Sequence, residues 1–279
     1  MVGVIDVGGG TRGIFGAGVF DFCMDHEIRF DHAIGVSAGS ANAASYLAGQ
    51  RGRNLRFYDN YAFRREYMGM NLFLHTGEYI SLDYIYSTLS NSDGEDPLGY
   101  EKLMENAADL EIVTTDAQSG KVVYFQKNCM AQDNYDCIKA SCAVPIACRP
   151  YRIAGRPYYD GGLSDPIPYK RALDQGCDKL VVVLTRPKTQ LLTPDRDRKL
   201  AALIRRKYPK AAQRLAQRSS VYNESLRDIL QLEREGKVLI IAPDDIGEMR
   251  TLTQDHAALR KLYEKGYQEA EKIPEFLSA

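Results

Sequence analysis

Apolar and polar positions in the first fifty residues fall into two alternating regimes. Val2 to Val7 is an almost unbroken apolar run, the pattern of a strand buried on both faces, and Ile14 to His26 reads as a helix. Ala33 to Val36 is a second short run, followed from Ser40 to Ala48 by a helix of small residues. Farther on, Leu110 to Thr115 and Lys121 to Gln126 flank Asp116-Ala117-Gln118-Ser119-Gly120, whose glycine marks a hairpin turn. Tyr151 to Asp160 predicts one short strand interrupted by Gly155 and Pro157, and Leu180 to Leu184 and Val238 to Ile241 predict two fully buried strands. Leu259, Leu262, Tyr263, Gly266, Tyr267 and Ala270 recur at helical spacing and predict a helix facing a core. The stretch from about Arg186 to Gly236 reads as helical and suits a cap over one end of the sheet. Strands alternating with helices predict an α/β domain with a mostly parallel sheet, and the lack of repeats or low-complexity linkers predicts a single domain over 1–279.

Composition narrows the class. At 279 residues, 44% apolar and 26% charged, the chain can bury a sizeable core and is neither disordered nor a disulfide-stapled miniprotein. A formal net charge of -1 gives no reason to expect nucleic acid as a partner. The first strand candidate begins at Val2 without a basic n-region or long apolar segment, and no window approaches a membrane span, which predicts a cytoplasmic protein. Cys23, Cys129, Cys137, Cys142, Cys148 and Cys177 lack C-x-x-C spacing and sit mostly in apolar surroundings, so buried thiols are expected rather than zinc ligands or disulfides.

Two glycine clusters carry candidate chemistry. Gly35-Val36-Ser37-Ala38-Gly39 lies where a strand gives way to a helix, the pattern of a nucleophile elbow: a sharp turn that lifts the serine Oγ above the sheet and aims the N–H of Ala38 at an attacked carbonyl. Upstream, Gly8-Gly9-Gly10-Thr11-Arg12-Gly13 follows the first strand and opens a helix, so its backbone N–H groups suit negative charge. The cluster also spells the glycine pattern of a dinucleotide-binding loop. That reading requires an acid at the end of the next strand, which instead ends in Val36 and Ser37, with Asp31 at the wrong end, and no Lys-Ser/Thr follows as a phosphate loop requires. An oxyanion loop partnered with the elbow remains.

A serine nucleophile needs a base. Only His26, His32, His75 and His256 exist, and an ordinary Ser-Asp-His order leaves His256 as the main candidate, although it lies on the face of a helix. Tyr158-Tyr159-Asp160-Gly161-Gly162 offers a carboxylate at a strand end followed by two glycines, and a partly dry setting raises a carboxyl pKa toward that of an effective base. An ordinary Asp-Gly turn is the competing reading.

Together these motifs resemble the patatin-like phospholipase family, in its compact bacterial members. Residues 8–13 match its oxyanion loop, Gly35 to Gly39 its elbow, and Asp160-Gly161-Gly162 its Asp-Gly-Gly/Ala motif. Ala140-Ser141-Cys142-Ala143-Val144-Pro145 looks like the family's block before the aspartate. The likeness covers residues 3–185; the remainder, 186–279, is read as a helical cap with the final strand and helix. In Leu163-Ser164-Asp165-Pro166 the family often has asparagine before the proline, which makes Asp165 a rival base.

The resemblance implies a three-layer α/β/α sandwich and cleavage of fatty acyl esters of phospholipids or lysophospholipids by a Ser37–Asp160 dyad through an acyl-serine. It implies an oxyanion hole drawn from Gly8, Gly9, Gly10, Arg12, Gly13 and Ala38, and neither cofactor nor metal. A Ser-His-Asp carboxylesterase using His256 and a non-enzymatic nucleotide- or phosphate-binding protein are the alternatives. Arg12 either orients a phosphate or carboxylate or, the preferred role, ties the loop down through carbonyl contacts. Between Arg196 and Arg218 nine residues are basic and only Asp197 is acidic, with Leu200, Leu203, Ile204 and Tyr208 at helical spacing before Pro209. The stretch suits either a solvated face or peripheral contact with an anionic membrane.

Overall fold

The computed structural model describes residues 1–279. The expected alternation is present at the N-terminus as β1 (Val2–Asp6), α1 (Ile14–Asp25), β2 (His32–Val36) and α2 (Ala38–Leu47). Three short helices, α3 (Arg53–Asp59), α4 (Met70–Thr76) and α5 (Tyr100–Glu105), lead to β3 (Asp109–Asp116) and β4 (Val122–Gln126). Then come α6 (Asp136–Ser141), β5 (Tyr151–Ile153), β6 (Arg156–Asp160), α7 (Tyr169–Asp174) and β7 (Lys179–Val183). The chain closes with α8 (Asp195–Ile204), α9 (Pro209–Arg234), β8 (Val238–Ile241), α10 (His256–Glu269) and α11 (Ile273–Ser278).

The sheet runs β5-β6-β3-β2-β1-β7-β8, with β4 also paired to β3. Strands β8, β7, β1, β2 and β3 are parallel, and β4, β5 and β6 pair antiparallel. Val4 and Ile5, Ala33 and Ile34, and Val181 and Val182 fall in two different cores, because successive side chains point to opposite faces. Both faces are covered, which is why these strands read as continuous apolar runs. On one face lie α1, α2 and α10; on the other, Tyr222, Leu226 and Ile229 of α9 and Tyr169 and Ala172 of α7. The result is a three-layer α/β/α sandwich. At Gly266 of α10 an added Cβ would collide with the Phe15 carbonyl oxygen, so this glycine in the apolar stripe lets α10 lie against α1.

Three expectations need correction. Tyr151 to Asp160 is a hairpin of two strands, turned by Ala154 (φ 47°) and Gly155 (φ 79°), both left-handed as a tight two-residue turn requires. The helical segment after Arg186 is more than a cap. Ala201, Ile204 and Tyr208 with Ala211, Ala212 and Leu215 pack on Tyr159 and Leu163, whereas the second half of α9 crosses the sheet to reach β8. Finally, Cys129 and Cys137 are joined as a disulfide, because the chain folds back between them through the Ala131–Asn134 bridge and brings their Cα atoms to 6.9 Å. Cys23, Cys142, Cys148 and Cys177 are buried free thiols as expected.

Candidate active site

The elbow follows from how β2 ends. Ser37 adopts φ 56° and ψ −133°, a conformation a residue with a Cβ occupies only under strain. Three bonds hold it there. The Ser37 N–H donates to Ser141 Oγ at 2.9 Å, the Ser141 hydroxyl donates to the Val113 carbonyl at 2.7 Å, and the Ser40 hydroxyl donates to the Ser37 carbonyl at 2.6 Å. Ser141 therefore clamps the elbow to β3. Behind it, a Cβ at Gly39 would strike the Asp6 carbonyl, so the glycine after the elbow is required by the close approach of α2 to β1.

Asp160 is brought to Ser37 by a change of partner along one edge of β3. Ala33 to Val36 pair with Leu110 to Val113, and where β2 turns away at Ser37 the same edge passes to β6, with Thr114 opposite Asp160. Val113 and Thr114 pair with β4 on the other edge, so β2 and β6 share the first. Asp160 thus lies just beyond the end of β2. Burial pushes its carboxyl above the usual carboxylate range; hydrogen bonding from the Ser37 side chain and the Gly162 N–H, and the charge of Arg218, oppose the rise. The Gly162 N–H donates to Asp160 Oδ1 at 2.8 Å. At Gly161 a Cβ would meet the Val113 carbonyl, so the first glycine after the aspartate is steric. Asp165 is not aimed at the serine: it accepts the Tyr124 hydroxyl at 2.6 Å and lies outside the cavity above Ser37.

The glycine loop carries positive φ at Gly8, Gly9 and Gly10 in succession. The Gly8 N–H, expected among the oxyanion donors, donates instead to Asp6 Oδ1 at 2.8 Å, and the Gly8 carbonyl accepts the Thr185 hydroxyl. The N–H groups of Gly9, Gly10 and Ala38 donate to no group of the chain. Gly13, also in the expected set, does not line the cavity: its carbonyl accepts Asn42 Nδ2 at 2.8 Å, and a Cβ there would press on the Tyr58 hydroxyl. Arg12 ties down no carbonyl; it donates to Thr251 Oγ1 at 3.3 Å, and its Nε has no partner.

Asp6 escaped the sequence reading. Fully buried at the end of β1, it holds the Gly8 N–H with one oxygen and Asn42 Nδ2, at 2.8 Å, with the other, tying loop to helix. Burial, opposed by those two bonds, pushes its pKa up to about 6. Its signal was present: it is the one charged residue inside the apolar run from Val2 to Val7.

Above these residues opens a cavity of about 680 Å³ at the C-terminal ends of β1, β2 and β7, where flanking helices leave on opposite faces. Ser37, Asp160, Gly8 to Gly10 and Arg12 all line it, and a small apolar cleft bounded by Phe57, Tyr58, Tyr86 and Leu252 extends inward from Ser37. No histidine lines either space. His256 pairs with Asp59 at 3.0 Å and stacks on Phe63, and His75 bonds the Asn71 carbonyl on exposed α4.

A family model described as patatin-like phospholipase matches residues 7–173, well over half of the chain. The chain belongs to this family. A second family model, a domain of unknown function (DUF6363), matches residues 208–278, so Arg218, Tyr222, Thr251 and Leu252 reach the patatin-like cavity from a different matched segment. An uncharacterized protein of Escherichia coli (strain K12), YjjU, is 34% identical over 209 residues, 69% of this chain and 54% of that protein. The patatin-like chain therefore spans about half the length of that relative. The crystal structure of VipD from Legionella pneumophila superposes with a TM-score of 0.51 at 16% identity, covering 97% of this chain and 66% of that one, a likeness of fold. No helix is long and apolar enough to cross a membrane.

Proposed function

We propose that this patatin-like protein is a serine hydrolase of fatty acyl esters, with phospholipids or lysophospholipids as substrates. The observation that carries this reading is the passage of the β3 edge from β2 to β6, which sets a buried carboxyl beside a strained serine with no imidazole near. In the proposed reaction Ser37 Oγ attacks the ester carbonyl while Asp160 takes its proton. The unused N–H groups of Gly9, Gly10 and Ala38 hold the oxyanion, and the proton passes to the leaving alcohol. Water, deprotonated by Asp160, then attacks the acyl carbonyl, and Asp160 returns that proton to Ser37 Oγ as the fatty acid leaves. Asp6 acts as a positioning residue by turning the Gly8 N–H away from the cavity.

Labelling with a lipid-like fluorophosphonate tests the reading directly: the adduct is expected on the peptide bearing Ser37, and an adduct confined to another residue overturns it. Because His256 is held by Asp59 and Phe63, His256→Ala is expected to retain hydrolysis within about twofold. Activity as low as in Ser37→Ala would restore the Ser-His-Asp esterase.

Access is proposed from a lipid surface. Met70, Phe73, Ile146 and Leu191 are exposed at the cavity mouth, an apolar rim suited to acyl chains. The basic stretch is not one amphipathic helix but two helices joined by a turn, with Ile204 and Tyr208 buried and Leu203 exposed beside Arg205, Arg206 and Lys207. Replacing those three cations with Gln is expected to weaken binding to anionic vesicles at low salt and to spare hydrolysis of a short soluble ester, since none of them lines the cavity. Equal vesicle binding by both proteins would return the turn to a merely solvated role.

A further inference from the structure

The charged side chains lining the cavity are unbalanced in kind and in placement. They are Arg12, Arg186, Arg196 and Arg218 against Asp160 and Asp197, with no Lys, Glu or His. Asp197 is committed, gripping Arg218 through two bonds of 2.7 and 2.9 Å. The other three arginines have no acidic partner; Arg196 is exposed at the cavity wall, whereas Arg12 and Arg186 are drawn inward. Arg12 is the most demanding: only 4% exposed, it makes one bond at 3.3 Å to Thr251 and leaves Nε unpaired. Arg186, just beyond β7, is half-buried and makes no hydrogen bond or ion pair within the chain.

Burying a guanidinium without a counter-charge is costly, and placing several near one another adds repulsion. Burial, then the charges of Arg186, Arg218 and Arg196, push the Arg12 pKa down to about 9, so Arg12 remains cationic at neutral pH. Burial likewise lowers Arg186, with Arg218 and Arg196 acting in the same direction. Such a group is stabilised when an anion enters among its members. Planar guanidinium forks match the oxygens of phosphate or carboxylate, and three unpaired cations suit a dianion better than a zwitterion, which would carry its own cation into the cluster.

The geometry points to a phosphate subsite formed by Arg12, Arg186 and Arg196 within the catalytic cavity, and we propose that it takes the phosphomonoester headgroup of an acyl-glycerophosphate substrate. The proposal rests on the acyl-hydrolase reading and adds the substrate's other end. Lining from Met70, Phe73 and Val144 to Ala147 is apolar and suits the acyl chain, whereas the cations come from the glycine loop and the cap. The cap thereby acquires a role in selection.

The test uses the full chain and the double variant Arg186→Gln/Arg196→Gln, which breaks no hydrogen bond within the protein. For the wild type, kcat/KM on acyl-glycerophosphate is expected to exceed that on acyl-glycerophosphocholine of the same chain by about tenfold or more, the worth of one charge-assisted contact. The variant is expected to lose most of that ratio. Independently of turnover, millimolar inorganic phosphate is expected to raise the melting temperature of the wild type and not that of the variant. A ratio near one in the wild type, or one unchanged in the variant, overturns the headgroup assignment; thermal protection by phosphate without a headgroup preference likewise overturns it, in favour of a free-phosphate site. If neither ester is cleaved, the hydrolase reading fails by itself. The melting shift still decides the subsite: its absence from the wild type, or its survival in the variant, overturns the anion site.

Discussion

Replacing Ser37 with Ala is expected to lower ester hydrolysis by on the order of 10⁴-fold or more, because the change removes the atom that forms the acyl bond. The fold should survive, since the hydroxyl contributes little packing at the floor of an open cavity. Stability separates the chemical role of Ser37 from its backbone role. At φ 56° and ψ −133° any Cβ is strained, by about 1–3 kcal/mol, and Ser37→Ala keeps that strain. Ser37→Gly releases it and loses about 0.5–1 kcal/mol through added freedom of the unfolded chain. The glycine variant should therefore be as inactive as the alanine variant yet more stable, by about 1 kcal/mol in denaturant melts. Hydrolysis by either variant near the wild-type rate would remove Ser37 from the mechanism, and a less stable glycine variant would remove the strain argument.

The proposed chemistry depends on contacts between segments far apart in the chain. Ser141 reaches both the Ser37 N–H and the Val113 carbonyl, so α6, β2 and β3 meet at the elbow. Thr251, from the segment before α10, accepts the Thr11 N–H with its carbonyl at 2.8 Å and bonds Arg12 with its hydroxyl. A Cβ at Gly10 would collide with that same carbonyl, so the loop and the C-terminal segment are fitted closely to each other. The second matched segment is thus structurally joined to the first at the glycine loop.

Much of this was legible in the sequence because it is local. The parallel strands announced themselves as apolar runs, since both faces are buried, and the hairpin after β3 by its glycine. The glycine loop, the elbow and the Asp-Gly-Gly turn were each visible as unbroken motifs. What remained hidden depends on pairing across the chain. Tyr151 to Asp160 read as one strand because an Ala-Gly turn is a weak signal beside Asn-Gly, although it supports the same left-handed pair of residues. Asp6 gave away its burial only through its apolar neighbours, and its bond to Asn42 could not be read before α2 was placed. The bond between Cys129 and Cys137 follows from a fold-back that their spacing does not encode. The basic stretch was the least legible, because charge along the sequence does not show that Arg196 and Arg218 line the cavity while Arg205 to Lys207 cross an exposed turn.

Asp160→Asn is expected to produce opposite changes in activity and stability. As the proposed base, Asp160 contributes about 10²–10⁴-fold to the rate, and an amide of the same shape accepts no proton from Ser37. The amide oxygen of the variant can still accept the Gly162 N–H, so the turn should be retained. The sign of the stability change follows from burial, which raises the folded pKa of Asp160 above its ordinary 3.8. Below the unfolded pKa both states are protonated and wild type and variant should differ little. As pH rises past it, the unfolded chain releases its proton while the folded chain holds on, so the wild type loses stability until the folded pKa is passed. Asparagine has no proton to release. The melting temperature of Asp160→Asn should therefore exceed that of the wild type by a margin that opens above about pH 4 and levels off once the folded pKa is passed. Over the same range wild-type kcat/KM should climb with pH, its acid limb displaced above the ordinary carboxylate value, and the variant should lack that limb. Melting curves and pH–rate profiles on a soluble ester measure both. An active variant, or one destabilised at neutral pH, would show that the Asp160 carboxylate serves the fold rather than the reaction.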